Sequence, residues 1–418
     1  MITLIEARNF RCLRYIRQPL GPLHVLVGPN ASGKTTFLDS IAFLGRLVSD
    51  GLEAAVGDRS QDFRDLVWRR TEGNFELAVE AGIPAERRRL LADREFETVR
   101  YEVSVGPDPD TKETSILGEK VLLRKQQPPA SSDGQRTLFP APPEPPATIL
   151  MPKMTKGAKT VVNKVPDGND NFCDETGKGW DHAFKLGPRK SALASLPEDE
   201  SKFPVSTWLK ALLIDGVQQI VLNSLLIRRA SPPGQVRSFK PDGSNLPWVI
   251  DNLERKSPDR LQQWIAHVQT ALPDVEGIRT VERPEDRHRY LVLRYRGGLE
   301  VPSWVASDGT LRLLALTLLA YLPEFYGVYL IEEPENGIHP LAVESVFQSL
   351  SSAYDAQILV ATHSPVMLSL AEADKILCFA KTPEGATDIV LGSDHPALRD
   401  WRGETNLADL FAAGVLGQ

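Results

Sequence analysis

Cysteine is scarce in this chain of 418 residues. Cys12, Cys173 and Cys378 have no paired spacing, which argues against a disulfide framework or a cysteine-held zinc site and fits a reducing compartment. Long apolar runs are missing as well. The best of them, residues 313–322, is half of the roughly 20 residues that a bilayer-spanning helix needs. The opening stretch "MITLIEARNFRCLRYIRQ" interleaves charges with its apolar residues, so it is no signal peptide. Nor is there a surplus of positive charge: 48 basic residues against 55 acidic ones leave a net charge of −7. That argues against a tail that coats nucleic acid, while a local basic groove stays compatible with it. No internal repeat is present. From these absences we expect a soluble, cytoplasmic protein with no membrane segment.

What is present is a core-forming composition, with 42% hydrophobic and 25% charged residues. The length exceeds one ordinary domain, so two lobes or one domain with a large insertion are expected. "PLHVLVGPNASGKTTFLDSIAFLG" reads as strand, glycine loop and helix. The strand is Leu23–Val27, and the helix starts near Gly33 with Phe37, Leu38, Ile41 and Leu44 at helical spacing. "FELAVEAGI" and "FETVRYEVSV" read as strands of an antiparallel sheet. Seven prolines between Pro128 and Pro146 then mark an exposed, extended loop. Residues 153–187 read as polar, glycine-rich loops with room for one hairpin. Order returns near Trp208 with a helix and a strand, then a helical stretch over 246–272 interrupted near Pro258, then two strands in "YLVLRYRGGLEVPS". The last block alternates: helix 309–322, strand 328–331, helix 340–354, strand 357–362. Such alternation means a mostly parallel α/β sheet. The simplest arrangement is one nucleotide-binding domain split in sequence. Residues 1–105 would carry its first half, 106–290 an inserted lid or arm, and 291–418 its second half.

The chemistry lies in four short stretches. Gly28-Pro29-Asn30-Ala31-Ser32-Gly33-Lys34-Thr35 matches GxxxxGK[ST] between a strand and a helix. The amides of such a loop and the helix N-terminus after it point at an anion. Lys34 would reach the β- and γ-phosphates, and Thr35 would ligate Mg²⁺. In "GVYLIEEPENGIHP" two carboxylates end an apolar strand, where they are costly unless paired. A magnesium triphosphate is the partner they need: Glu332 near the metal, Glu333 as general base for the attacking water. A glutamate pair alone is ordinarily just solvated. "SDGTLR" opens a helix with Ser307 and Gly309 in its first turn, a second anion site that, alone, reads as an ordinary N-cap. "ATHSP" leaves His363 just beyond a strand, able to bond a γ-phosphate or hold a water; alone, it reads as a surface histidine.

The order of these roles changes their weight. The set "GPNASGKTT", "SDGTLR", "LIEEPENGIHP" and "ATHSP" resembles the ABC-type ATPase heads of the SMC, RecF and OLD-nuclease group. More narrowly, it resembles AAA-labelled ATPases of bacterial phage-defence and toxin–antitoxin-like operons. The resemblance covers residues 1–105 and 290–395. It implies an α/β ABC-type P-loop ATPase head, a parallel core sheet plus an antiparallel β subdomain, with a large inserted lid or arm. It implies that Gly28, Asn30, Ser32, Gly33, Lys34, Thr35 and Thr36 bind ATP, with Asn30 on the γ-phosphate. Thr35 and Glu332 would hold Mg²⁺, and Arg11 of "NFRCL" would approach the phosphates. Ser307 and Gly309 would act as a signature that reaches the ATP of a second subunit, in a homodimer or higher oligomer. Residues 334–339 would couple the two sites. Gln61 is the one candidate for a glutamine loop. Two departures stand out: Ser-Asp-Gly-Thr replaces Ser-Gly-Gly, and Glu332 stands where aspartate is commoner, so hydrolysis is expected to be slow. The insertion is too short and proline-broken for a long SMC coiled coil.

OLD nucleases carry a Toprim domain after the ATPase, and only 55 residues lie beyond His363 here. "SDHPALRDW" holds Asp394, His395 and Asp400, but no second acidic cluster completes a two-metal site. An ATPase without its own nuclease is therefore expected. Arg87 to Arg89, Arg228-Arg229 and "RPEDRHRYLVLRYRGG" could line a DNA groove, yet interleaved acids and the lack of an aromatic ladder favour solvated faces. Three readings remain: a defence ATPase controlling a partner effector, most simply a nuclease encoded beside it; a RecF-like DNA clamp; and the ATP subunit of a transporter. The span of 273 positions from Lys34 to Ser307 argues against the last.

Overall fold

The computed structural model describes residues 1–125, 144–152, 155–166, 168–177, 182–323 and 325–395. The chain begins with a hairpin, β1 (Ile2–Phe10) and β2 (Leu13–Pro19), and then β3 (Leu23–Val27) leads through the glycine loop into α1 (Lys34–Asp50). After α2 (Leu52–Gly57) come β4 (Phe75–Gly82), α3 (Ala85–Arg88), β5 (Phe96–Pro107), β6 (Thr114–Lys125), β7 (Ala158–Lys164), β8 (Asp170–Phe172) and β9 (His182–Phe184). Helix α4 (Pro204–Ala211) runs through a π-helical turn, Leu212–Gly216, into β10 (Val217–Ile220). Next come α5 (Ser224–Arg228), α6 (Leu246–Lys256), α7 (Pro258–Ala271), β11 (Val275–Glu282), β12 (Arg289–Tyr295) and β13 (Glu300–Pro302). The last block is α8 (Asp308–Leu318), β14 (Gly327–Glu332), α9 (Pro340–Ser351), β15 (Ala356–Ala361), α10 (Pro365–Leu370), β16 (Ile376–Lys381) and β17 (Thr387–Leu391).

The central sheet has the order β10-β14-β15-β3-β16-β17. All its pairings are parallel except β16 with β17. Its strands are apolar without interruption because both faces are covered. In β3 the faces separate cleanly: Leu26 joins one core, while Leu23, Val25 and Val27 join the other. Val328 and Leu330 of β14 face the first core, and Tyr329 and Ile331 the second. The first core lies between this sheet, α1 and an eight-stranded antiparallel sheet of order β2-β1-β4-β5-β6-β7-β8-β9. Its centre holds Phe10, Phe43 and Phe75 in edge-to-face contact. The second core lies under α6, α7, α8 and α9 and a three-stranded sheet, β11-β12-β13.

The middle of the chain does not stand apart from these layers. β6 extends the antiparallel sheet beside β5, and β10 pairs with β14 in the central sheet. The stretch 153–187, read as loops with one hairpin, contributes three short strands, β7, β8 and β9, to the sheet edge. Their pattern is masked in sequence because polar residues there are buried in pairs, such as Lys164 with Asp170 at 3.0 Å. Residues 126–143 of the proline-rich stretch lie outside the described residues. The segment around Ile149 is held down rather than loose: Ile149 N–H donates to Glu76 (2.8 Å), Met151 N–H to Glu102 (2.7 Å), and Arg100 donates to the Ile149 carbonyl (3.0 Å).

Candidate functional site

Sheet register assembles the site. Glu332 of β14, Ala361 of β15 and Leu26 of β3 stand in one row at the C-terminal ends of adjacent parallel strands. The glycine loop, Glu333 and His363 therefore leave the sheet on the same side. One cavity is lined by Asn30 through Thr36 together with Glu332, Glu333, Ala361 and His363.

The loop needs its glycines on two grounds. Gly28 and Gly33 have φ of +150° and +107°, where side chains are strained. A Cβ on Gly28 would lie 2.2 Å from the Phe379 carbonyl oxygen, and one on Gly33 would lie 2.1 Å from Thr387 Oγ1. Thr387, which the sequence did not flag, donates its hydroxyl to the Ser32 carbonyl at 2.9 Å. The Ser32 hydroxyl is buried with no partner among the described residues. Lys34 is buried, and its ammonium donates to the carbonyls of Gly28 (2.8 Å) and Pro29 (3.0 Å). Burial pushes its pKa down to about 8, against the opposing pull of Glu333 and Glu332. A cation folded onto its own loop beside an unpartnered buried hydroxyl suits an incoming phosphate.

Thr35 Oγ1 donates to Glu332 Oε2 at 2.6 Å, and Gln219 Nε2 reaches Glu332 Oε1 at 3.3 Å. Thr35 and Glu332 are hard oxygen donors side by side, the set that Mg²⁺ favours. Gln61 is exposed and lies off the cavity. The glutamine at the site is Gln219, brought in by the pairing of β10 with β14. Glu333 has φ of +46°, a strained setting for a non-glycine residue that turns its side chain out of the strand line. Its amide donates to the Ala361 carbonyl (2.7 Å), its carboxylate accepts from Asn336, and His363 Nε2 stands 3.9 Å away.

Besides Gly28, which meets the site through its carbonyl on Lys34, three expected residues lie off this cavity. Ser307 caps α8, accepting from Thr310 N–H at 3.1 Å, and is exposed. Gly309 packs against the loop after Glu333: a Cβ there would meet the Gly337 carbonyl oxygen at 2.3 Å. Arg11 pairs with Asp39 of α1 at 3.1 Å instead of lining the cavity. Asp394 lines a different cavity, with His24 and Asp374, and Asp400 lies outside the described residues. Among the described residues no group of three or more His, Cys, Asp or Glu could hold a metal ion. The arginines of the third sheet are neutralised: Arg283 pairs with Asp286, Arg287 with Glu282, Arg289 with Asp251, Arg294 with Glu276 and Arg296 with Asp274. Arg87, Arg88 and Arg228 pair with Glu200, Glu97 and Asp308. No described helix is long and apolar enough to cross a membrane.

A phosphate loop on a parallel sheet, with acidic and histidine-bearing strand ends beside it, defines an ABC-type P-loop ATPase head. Comparison with known proteins carries the assignment further. A family described as "AAA domain, putative AbiEii toxin, Type IV TA system" matches residues 171–369, and one described as "AAA ATPase domain" matches residues 1–127. An OLD nuclease of Thermus scotoductus is 54% identical over 41 residues, which span 10% of this chain and 8% of that protein. An SMC head solved with the C-terminal winged-helix domain of ScpA superposes with a TM-score of 0.53 at 16% identity, covering 93% of this chain and 96% of that one. A second, an SMC head with an extended coiled coil bound to the C-terminal domain of ScpA derived from Pyrococcus furiosus, gives 0.50 at 15% identity, covering 93% and 95%. The chain resembles ATPases of the SMC/RecF/OLD-like group.

Proposed function

We propose that the chain binds ATP with Mg²⁺ at the glycine loop, hydrolyses it slowly between two head-to-head copies, and thereby regulates a partner effector in bacterial anti-phage defence. The observation that carries the hydrolytic part is the convergence of Lys34, the Thr35–Glu332 pair, Glu333 and His363 on one cavity. Lys34 and the loop amides hold the phosphates. Thr35 and Glu332 would hold Mg²⁺, which would neutralise phosphate charge when bound. Glu333 accepts a proton from the attacking water, and His363 orients that water or the terminal phosphate. Ser307 and Gly309 are off the cavity of their own copy, so they complete the site of the other. Arg11 enters the phosphate field only by leaving Asp39.

Partner control is supported by analogy. The two SMC heads were solved with a domain of ScpA bound, and an effector protein, most simply a nuclease from the same operon, is the corresponding partner here. A DNA clamp of the RecF/SMC kind is the second reading, favoured by the fold likeness. The acid-paired arginines weigh against it, because phosphate binding draws on uncommitted cations. A cytoplasmic site of action goes with either reading. The test is a tagged Glu333→Gln protein recovered from its native host with ATP and Mg²⁺. A stoichiometric protein partner supports effector control. DNA alone, without a partner, overturns that part of the proposal.

A further inference from the structure

The loop after β14 touches three parts of the site with three consecutive residues. Glu335 Oε1 accepts from the Thr362 hydroxyl at 2.6 Å and from the His363 amide at 3.0 Å. Asn336 donates to the Glu333 carboxylate. The Gly337 carbonyl packs against Gly309 at the start of α8. Thr362 is fully buried, and its oxygen also accepts from Ser364 N–H at 2.9 Å, so Glu335 holds the turn around His363 at two points besides the bond from Thr362 N–H to the Leu26 carbonyl. Glu335 does not line the phosphate cavity, and so acts on it only through His363. Its second oxygen, Oε2, is buried with no partner among the described residues. The tether therefore depends on Oε1 alone, and a loop shift that brings a donor to Oε2 is favoured.

We infer that Glu335 is a positioning residue that ties the His363 turn to loop 334–339. The inference rests on the ATPase reading above and deepens it, naming what holds the His363 turn in place during hydrolysis. A small displacement of His363 is enough to slow it, since misplacing a catalytic group by ~1 Å costs about 100-fold in rate.

The test compares Glu335→Ala, Glu335→Gln and Thr362→Val in the full chain. Three readouts are taken: steady-state ATP hydrolysis, affinity for a fluorescent ATP analogue, and hydrogen exchange at the His363 amide. Glu335→Ala lowers kcat at least ~10-fold while KM and analogue affinity change less than ~3-fold. Glu335→Gln keeps an acceptor oxygen and restores most of the rate. Thr362→Val falls between them. Exchange at the His363 amide quickens in Glu335→Ala and not in Glu335→Gln. Wild-type kcat in Glu335→Ala, a parallel loss of binding and turnover, or unchanged exchange overturns the inference. If the wild-type chain hydrolyses no ATP, the ATPase reading fails, and the exchange comparison still decides whether the tether exists.

Discussion

Lys34 illustrates how one buried cation sets both binding and stability. Its pKa falls from 10.5 to about 8, first because burial penalises the charge. Between those values the unfolded chain binds more protons than the folded one, so stability of the free protein rises with pH through that window. Below about 8 the burial penalty on the charged lysine is present in full. Lys34→Met is thus expected to stabilise the free protein at pH 7 in a denaturant titration, with the gain shrinking toward pH 10. In the proposed reading, nucleotide affinity should move the other way. It weakens about tenfold per pH unit above 8 as the ammonium deprotonates, and a titration of analogue binding from pH 7 to 10 reads it. Gly33→Ala combines strain at φ +107° with a clash against Thr387. We expect analogue binding lost at least ~100-fold, with strain of about 1–3 kcal/mol appearing as reduced stability. These glycines were readable in the sequence, because GxxxxGK[ST] encodes a local backbone shape. Thr387 and Gln219 were not. Their contacts with Ser32 and Glu332 cross 355 and 113 positions and exist only through strand order.

Elements carry the next set of effects. Helix α1 presents Phe37, Leu38, Ile41 and Leu44 at helical spacing, and all four are buried. Phe43 adds edge contacts to Phe10 and Phe75 at ring distances of 5.8 and 5.3 Å. Phe43→Ala should destabilise by about 3–5 kcal/mol in urea unfolding, while Gly309→Ala should spare the core. The added methyl would drive α8 away from Gly337, so hydrolysis should fall more than ~10-fold with cis nucleotide binding nearly unchanged. A turnover assay beside an analogue titration separates the two. The strands β3, β14 and β15 and the helices α1, α8 and α9 were legible because buried parallel strands are apolar runs and their helices keep a 3.6-residue period. The short strands β7 and β8 were hidden by the buried Lys164–Asp170 pair, which breaks the alternation, and β9 has only three residues, none of them buried.

For the whole molecule the prediction concerns assembly. Ser307 and Gly309 sit away from the cavity that holds Lys34, and in the proposed reading they complete the site of a second copy. Glu333→Gln with ATP and Mg²⁺ should elute as a dimer in light-scattering chromatography, and Glu333→Gln combined with Lys34→Ala should elute as a monomer. A monomer in both would remove the head-to-head arrangement from the proposal. Loop 334–339 meets Glu333, the His363 turn and the start of α8 at once.

By itself the sequence determined the glycine loop, the acidic strand end, the histidine just beyond a strand and the α/β alternation, because each is written in neighbouring residues and obeys local backbone and burial rules. Only the tertiary structure decided that the middle of the chain builds both sheets, that Gln219 reaches Glu332 where Gln61 does not, that Arg11 is held by Asp39, and that Glu335 carries the His363 turn. Those outcomes depend on which strands lie side by side and which charges pair across the fold. Strand neighbours and ion pairs are chosen by the packing of whole layers, and no short window of sequence contains that choice.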